Sequence, residues 1–254
     1  MSRQNSAVES KRVGLARALS KLGYCSRSQA FELIRAGRVR LNGATRRHPE
    51  SPVQMQRDRI EVDGQFVGSA DNVYLVLNKP RGIVTTASDE KGRDTVYSCL
   101  DKGLPWIAPV GRLDKASEGL LLLTNDSEWA ARITAPETHL DKTYHVQIAE
   151  PADAKLLENL NKGLRMEDGD YLRAKSAGIL RKGERNSWLV IVLDEGKNRQ
   201  IRRMLEAVQI EVLRLVRVTI GPLELGDLPK GVSRLLRANE KRALDAAMRK
   251  QLAV

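Results

Sequence analysis

The segment GRLDKASEGLLLLTND, residues 111–126, constrains this chain more than any other. Leu120 to Leu123 form an unbroken apolar run between a glycine and Thr124-Asn125-Asp126. That pattern fits a strand covered on both faces, not the half-polar alternation of a surface strand. Such a strand belongs at the centre of a sheet. Yet Arg112, Asp114 and Lys115 come just ahead of it. Loops at strand ends are where a rigid scaffold displays reactive groups. Bases beside Asp114 favour its charged form. A charged carboxylate suits a nucleophile or charge stabiliser better than a proton donor. The same residues also fit a turn aspartate held in a structural ion pair.

The rest of the chain reads as alternating helices and strands. Leu15, Leu19 and Leu22 recur at helical spacing, and Gly23 ends that helix. Ser26 with Gln29 three residues on is a capping box for a second helix, which Gly37 stops. RVRLNG (38–43) and RIEVDG (59–64) each read as a strand running into a tight turn. Residues 65–72 are polar and linker-like. VYLVLNKPRGIVTT then reads as two strands broken by Pro80 and Gly82, with Lys79 and Arg81 crowning the turn. SEWAARIT and residues 152–164 predict helices; KTYHVQI, SWLVIVLDEG and EVLRLVRVTIGPL predict strands. NRQIRRMLEAV predicts a helix with Ile201, Met204, Leu205 and Val208 on its apolar face and Arg202 at the edge of it. The last residues resemble a surface helix. Irregular interleaving with many hairpins predicts an α+β fold on a mixed, mostly antiparallel sheet.

Charge is unevenly placed. The net charge is +11, but residues 1–47 hold 11 Lys/Arg against 2 Asp/Glu, while the remaining 207 hold 32 against 30. A local basic excess of this kind points to a polyanion, bound through phosphate contacts. With 41% hydrophobic residues a packed core is expected. No apolar stretch approaches the roughly 20 residues of a membrane span. The first residues lack the apolar core of a signal peptide, so a cytoplasmic location is expected. Cys25 and Cys99 form no disulfide framework, and His48, His139 and His145 form no metal pattern. There is no P-loop or GxGxxG, so no cofactor and no metal are expected. A monomer is the expected state.

Two resemblances sharpen this reading. RVGLARALSKLGYCSRSQAFELIRAGRVRLNG resembles the S4-type RNA-binding domain, a small αα-plus-β-hairpin module. The resemblance implies RNA contacts for Arg12, Arg17, Lys21, Arg27, Arg38 and Arg40, with Ser28 standing where the family usually has a second arginine. NKPRGIVTT, GRDTV, GRLDKASEGLLLLTND, DKTYHV and EGKNRQIRRMLEAV, followed by VLRLVRVTIGPLELGDLPKG, resemble the RsuA/RluB/RluF pseudouridine synthases over residues 12 to 236, in the family's order. Ser117, Ser127, Asp94 and Gln209 depart from the usual residues, the last standing where a glycine ends the arginine helix.

That resemblance implies a catalytic domain over 72–240, after a flexible tail (1–10) and an RNA-binding domain (11–68), with a C-terminal helix or tail (241–254). It implies that the enzyme isomerises a uridine in ribosomal RNA, of the large subunit by the lean of its motifs, free or in a ribosome-assembly particle. Asp114, Tyr144 and Arg202 become the expected catalytic residues: Asp114 breaking the glycosidic bond, Tyr144 stacking on the flipped base, Arg202 pairing with Asp114. Lys79, Arg112, Arg199 and Arg203 join the expected RNA contacts. Two other readings stay open on the residues alone. One is a noncatalytic RNA-binding or ribosome-assembly protein. The other is a nuclease or phosphoryl-transfer enzyme, which needs clustered carboxylates that the sequence does not offer.

Overall fold

A computed structural model describes residues 12–87 and 91–251; the expected tail over 1–10 lies outside them. The chain divides into two compact units. One runs to Val73 and takes in Gly103–Ala108; the other comprises Tyr74–Lys102 and the chain from Pro109 on. The return of 103–108 to the first unit is a detail that a linker at 65–72 does not suggest. Trp106 N donates to Gly23 O at 2.8 Å, on the glycine that ends the first helix.

In the N-terminal unit the order is β1 (Val13–Gly14), α1 (Leu15–Lys21), α2 (Arg27–Arg35), β2 (Val39–Leu41), β3 (Ala44–Arg46), β4 (Pro52–Val53), β5 (Ile60–Val62) and β6 (Gln65–Phe66). Helix α1 buries Leu15, Ala16, Ala18 and Leu19. The capping box of α2 is formed in both directions: Gln29 N donates to Ser26 Oγ at 3.1 Å, and Ser26 N to Gln29 Oε1 at 3.0 Å. Strands β3-β2-β5-β6 make a four-stranded sheet, larger than one hairpin, and β1 pairs with β4. One apolar cluster joins Leu15, Leu19, Ile34, Val39, Val53 and Ile60.

The second unit is built on a nine-stranded sheet. Its strands are β7 (Tyr74–Lys79), β8 (Ala108–Val110), β9 (Glu118–Thr124), β10 (Lys142–Ile148), β13 (Ser176–Lys182), β14 (Ser187–Leu193), β15 (Val212–Ile220), β16 (Leu223–Glu224) and β17 (Ser233–Leu235). A separate small hairpin is formed by β11 (Leu164–Arg165) and β12 (Tyr171–Leu172). The sheet order is β13-β14-β10-β15-β9-β7-β17, with β16 on β15 and β8 on β9. Helices α3 (Ser127–Thr134), α4 (Ala154–Lys162), α5 (Gln200–Ala207) and α6 (Ala238–Gln251) pack on it. The fold is α+β on a mixed, mostly antiparallel sheet. Strand β9 is buried along its whole length, Leu120 to Leu123 completely.

Two apolar clusters lie in this unit. One gathers β10, β14, α4 and α5 around Val146, Ile191, Leu160 and Met204. The other gathers β7, β9, α3 and α6 around Val76, Leu122, Trp129 and Leu244. Strands β9 and β15 meet in a parallel contact of two residue pairs, Val216 with Glu118 and Arg217 with Gly119. Gly119 has φ +102°, and a Cβ there would lie 2.3 Å from Arg217 O. Only glycine allows so close a backbone approach. The C-terminal helix is no surface appendage: Leu244 and Met248, one turn apart, are buried in the second cluster. No helix of the described residues is long and apolar enough to cross a membrane.

Candidate active site

The loop between β8 and β9 carries Asp114, and its backbone is held at five successive carbonyls. Leu113 O accepts from Thr85 Oγ1 at 2.7 Å. Asp114 O accepts from Ser117 N at 2.9 Å and from Lys79 Nζ at 3.2 Å. Lys115 O accepts from Gly82 N at 2.8 Å, and Ala116 O from Arg202 Nη2 at 3.0 Å. Ser117 O accepts from Lys79 Nζ at 2.9 Å. Donors from β7, the turn after it and α5 thus fix the loop from three directions. A side chain on a backbone so constrained is preorganised, with little freedom left to lose on binding.

The Asp114 carboxylate is left facing outward, 36% exposed, into a cavity of about 580 Å³. That volume falls in the range of roughly 300–1,000 Å³ for small-ligand pockets. Asp114, Tyr144 and Arg202 all line it, as do Arg112 and Arg199. Tyr144 stands half-buried on β10, paired with Ile191 on one side and Arg217 on the other. Its hydroxyl has no partner among the described residues. The cation within ion-pair distance of Asp114 is Arg199, with Nη1 at 4.0 Å from Oδ2. Arg199 caps α5 in a left-handed conformation, φ +49°, which turns the chain into the helix. Gln200 steadies that turn, donating to Arg173 O at 3.0 Å and to Glu195 Oε1 at 2.8 Å.

Several expected roles change in this geometry. Arg202 does not form the ion pair with Asp114; it reaches the backbone of the same loop at Ala116, and its buried Nε has no acceptor. Burial and then the neighbouring Arg199 lower its pKa, while Asp114 acts in the opposite sense. Lys79 is not exposed as the expected RNA contact requires. Its side chain is wholly buried, and its ammonium donates to Pro80 O, Asp114 O and Ser117 O. Desolvation pushes its pKa down to about 8. Arg203 is committed to the β11–β12 hairpin, with Nη2 at 2.6 Å from Asp168 and Nη1 at 3.0 Å from Asp170.

In the N-terminal unit, Arg12, Arg17, Arg27 and Arg40 are exposed and Lys21 is half-buried. Arg38 is exposed, but Asp63 already accepts from its Nε at 2.9 Å. Lys142 and Arg217 are among the cavity residues that sequence reasoning missed. Arg217 left a signal: it follows Leu213 and Leu215 on the alternation of a strand, where an apolar residue is expected. Among the described residues, no three His, Cys, Asp or Glu side chains gather where a metal ion could be held.

A carboxylate on a braced loop, facing a cation-lined cavity with a tyrosine in its wall, defines an enzyme-like site for an anionic ligand. A family model described as RNA pseudouridylate synthase matches residues 73–207, and an S4 domain model matches residues 13–67. Over 235 residues the chain is 39% identical to ribosomal large subunit pseudouridine synthase B of Bacillus subtilis, covering 91% of this chain and 95% of that one. It is 36% identical over 230 residues to the protein of the same name from Shigella flexneri, covering 87% and 77%. A crystal structure of a pseudouridylate synthase matches with a TM-score of 0.64 at 30% identity, covering 91% of this chain and 99% of that one. The chain belongs to the RNA pseudouridylate synthase family and has an N-terminal S4 domain.

Proposed function

We propose that this protein converts a uridine of large-subunit ribosomal RNA to pseudouridine. The observation behind this reading is the Asp114 loop, pinned at five consecutive carbonyls so that one carboxylate faces the cavity it shares with Tyr144, Arg199 and Arg202. The uridine must leave its stack to enter a cavity of this kind. Tyr144 offers a ring to stack on the base and a hydroxyl without a partner, suited to taking the proton from ring carbon five. Asp114 promotes rupture of the bond between N1 and C1′, either as a nucleophile at the ribose or by helping to form a glycal. Arg199 complements its charge at 4.0 Å. Arg202 holds the loop that aims it.

Exposed Arg112 and Arg199 at the cavity, and Arg12, Arg17, Arg27 and Arg40 on the N-terminal unit, supply phosphate contacts. The large-subunit target follows the names of the relatives. Mapping pseudouridines in ribosomal RNA from cells with and without this protein tests the reading. Loss of a site in large-subunit RNA is expected. An unchanged map refutes the assignment, and a site lost from another RNA corrects the target.

A further inference from the structure

Two cations of the cavity wall have no role in the scheme above and, unlike Lys197, no carboxylate at ion-pair distance. Lys142 lies two residues before Tyr144, on the same face of β10. Arg217 is the β15 residue paired with Tyr144. All three line the cavity. Arg217 is only 6% exposed. Its Nε donates to Leu120 O at 2.8 Å, its buried Nη2 has no acceptor, and no carboxylate of the described residues lies within 4.0 Å of it. The Lys142 ammonium has neither a hydrogen bond nor an ion pair among the described residues, and the side chain is half-buried. Its neighbour Asp141 is taken by Lys175, at 2.9 and 2.7 Å. Glu195 is taken by Gln200 and Lys197. Asp194, also in the cavity lining, acts on Lys142 from beyond ion-pair distance. Burial and then the charge of Arg217 lower the pKa of Lys142.

Buried cations are normally paired, because desolvation without a partner is costly. Buried Arg217 beside half-buried Lys142, neither with a carboxylate at ion-pair distance, marks a place where an electron-rich group arrives with the ligand. The geometry points to Lys142 and Arg217 as the site for the carbonyl edge of the flipped uracil, where they stabilise the negative charge of the departing base. The inference rests on the pseudouridine-synthase reading. When the bond between N1 and C1′ breaks, its electron pair leaves with the uracil and spreads over N1, O2 and O4. That charge is then consumed as C5 bonds to C1′; the C5 proton leaves and N1 takes up a proton, so substrate and product are isomers. Donors aimed at charge that develops only in the transition state accelerate the reaction. The alternative ligand, a phosphate, is served by Arg112 and Arg199, which are exposed where Arg217 is not.

The test uses the full chain, a ribosomal RNA fragment that the wild type modifies, and single-turnover kinetics. Lys142→Met is expected to lower the rate at saturating enzyme by roughly 100-fold. RNA affinity should change by less than about threefold, with the slope of log affinity against log salt unchanged. Lys142→Arg, which keeps the charge, should recover part of the rate. If Lys142→Met fails to fold, Lys142→Gln takes its place, with the same expectation. A full rate in the variant overturns the inference. So does an affinity loss with the salt slope reduced by about one, the signature of a phosphate contact. Failure to find any ribosomal RNA fragment that the wild type modifies refutes the parent reading instead, so the two failures are told apart.

Discussion

Two lysines that the fold takes out of solvent, Lys79 wholly and Lys142 in part, are treated in opposite ways. Beneath the Asp114 loop, Lys79 is wholly buried and all its donors are used, on the carbonyls of Pro80, Asp114 and Ser117. Across the cavity, Lys142 has no acceptor and lies beside Arg217, a second cation without a carboxylate. Both lysines lose solvation, and burial is the leading cause of the lowered pKa in each. The difference is what the protein gives in return. Lys79 is compensated by the fold, so it serves structure. Lys142 is left uncompensated, so its compensation has to come from a ligand. Burial alone therefore does not identify a functional cation; burial without a partner beside a cavity does.

Stability measurements can break or sharpen this contrast. Lys79→Met should cost the most, about 3 kcal/mol or more, because it strands buried carbonyls that water cannot reach. Urea denaturation checks this, and a neutral result would undo the structural role. Gly119→Ala should follow, at about 2 kcal/mol or more, since the left-handed backbone and the contact with Arg217 O both resist a side chain. The same measurement applies, with lost activity expected alongside as the β9–β15 seam shifts. Lys142→Met should be neutral or stabilising by about 1 kcal/mol, opposite in sign to Lys79→Met, because an apolar group replaces a half-buried cation without an ion pair. A loss as large as that of Lys79→Met would show that Lys142 has an internal partner after all. Gln209→Gly should give the smallest effect, a gain of about 0.5–1 kcal/mol in unfolding free energy, read as a higher denaturation midpoint. Gln209 sits at φ +62° where α5 ends, a conformation glycine adopts freely.

Local physics made much of this legible in the sequence. The buried strand β9 follows from four adjacent leucines, and the capping box of α2 from Ser26 and Gln29. Gln209 raised a question about the turn after α5; the helix ends there all the same, with Gln209 in the left-handed region. What stayed hidden depends on residues far apart in the chain. Lys79 beside Pro80 reads as an exposed turn lysine until a loop 35 residues away brings its carbonyls. Arg203 meets acids 33 and 35 residues upstream. The choice between Arg199 and Arg202 as the ion partner of Asp114 turns on one left-handed residue, which no spacing reveals. The C-terminal helix looks amphipathic and external, yet Trp129 Nε1 donates to its Asp245 at 2.8 Å and Leu244 fills the core beside it.

The most direct test is pseudouridine formation by purified wild type and Asp114→Asn on large-subunit ribosomal RNA, with RNA affinity measured in parallel. The substitution keeps the shape of the side chain and the six hydrogen bonds to the five loop carbonyls but removes the charge. The expected result is a rate loss on the order of 10⁴-fold or more, with affinity within about twofold. Near-normal turnover by the variant would contradict the account.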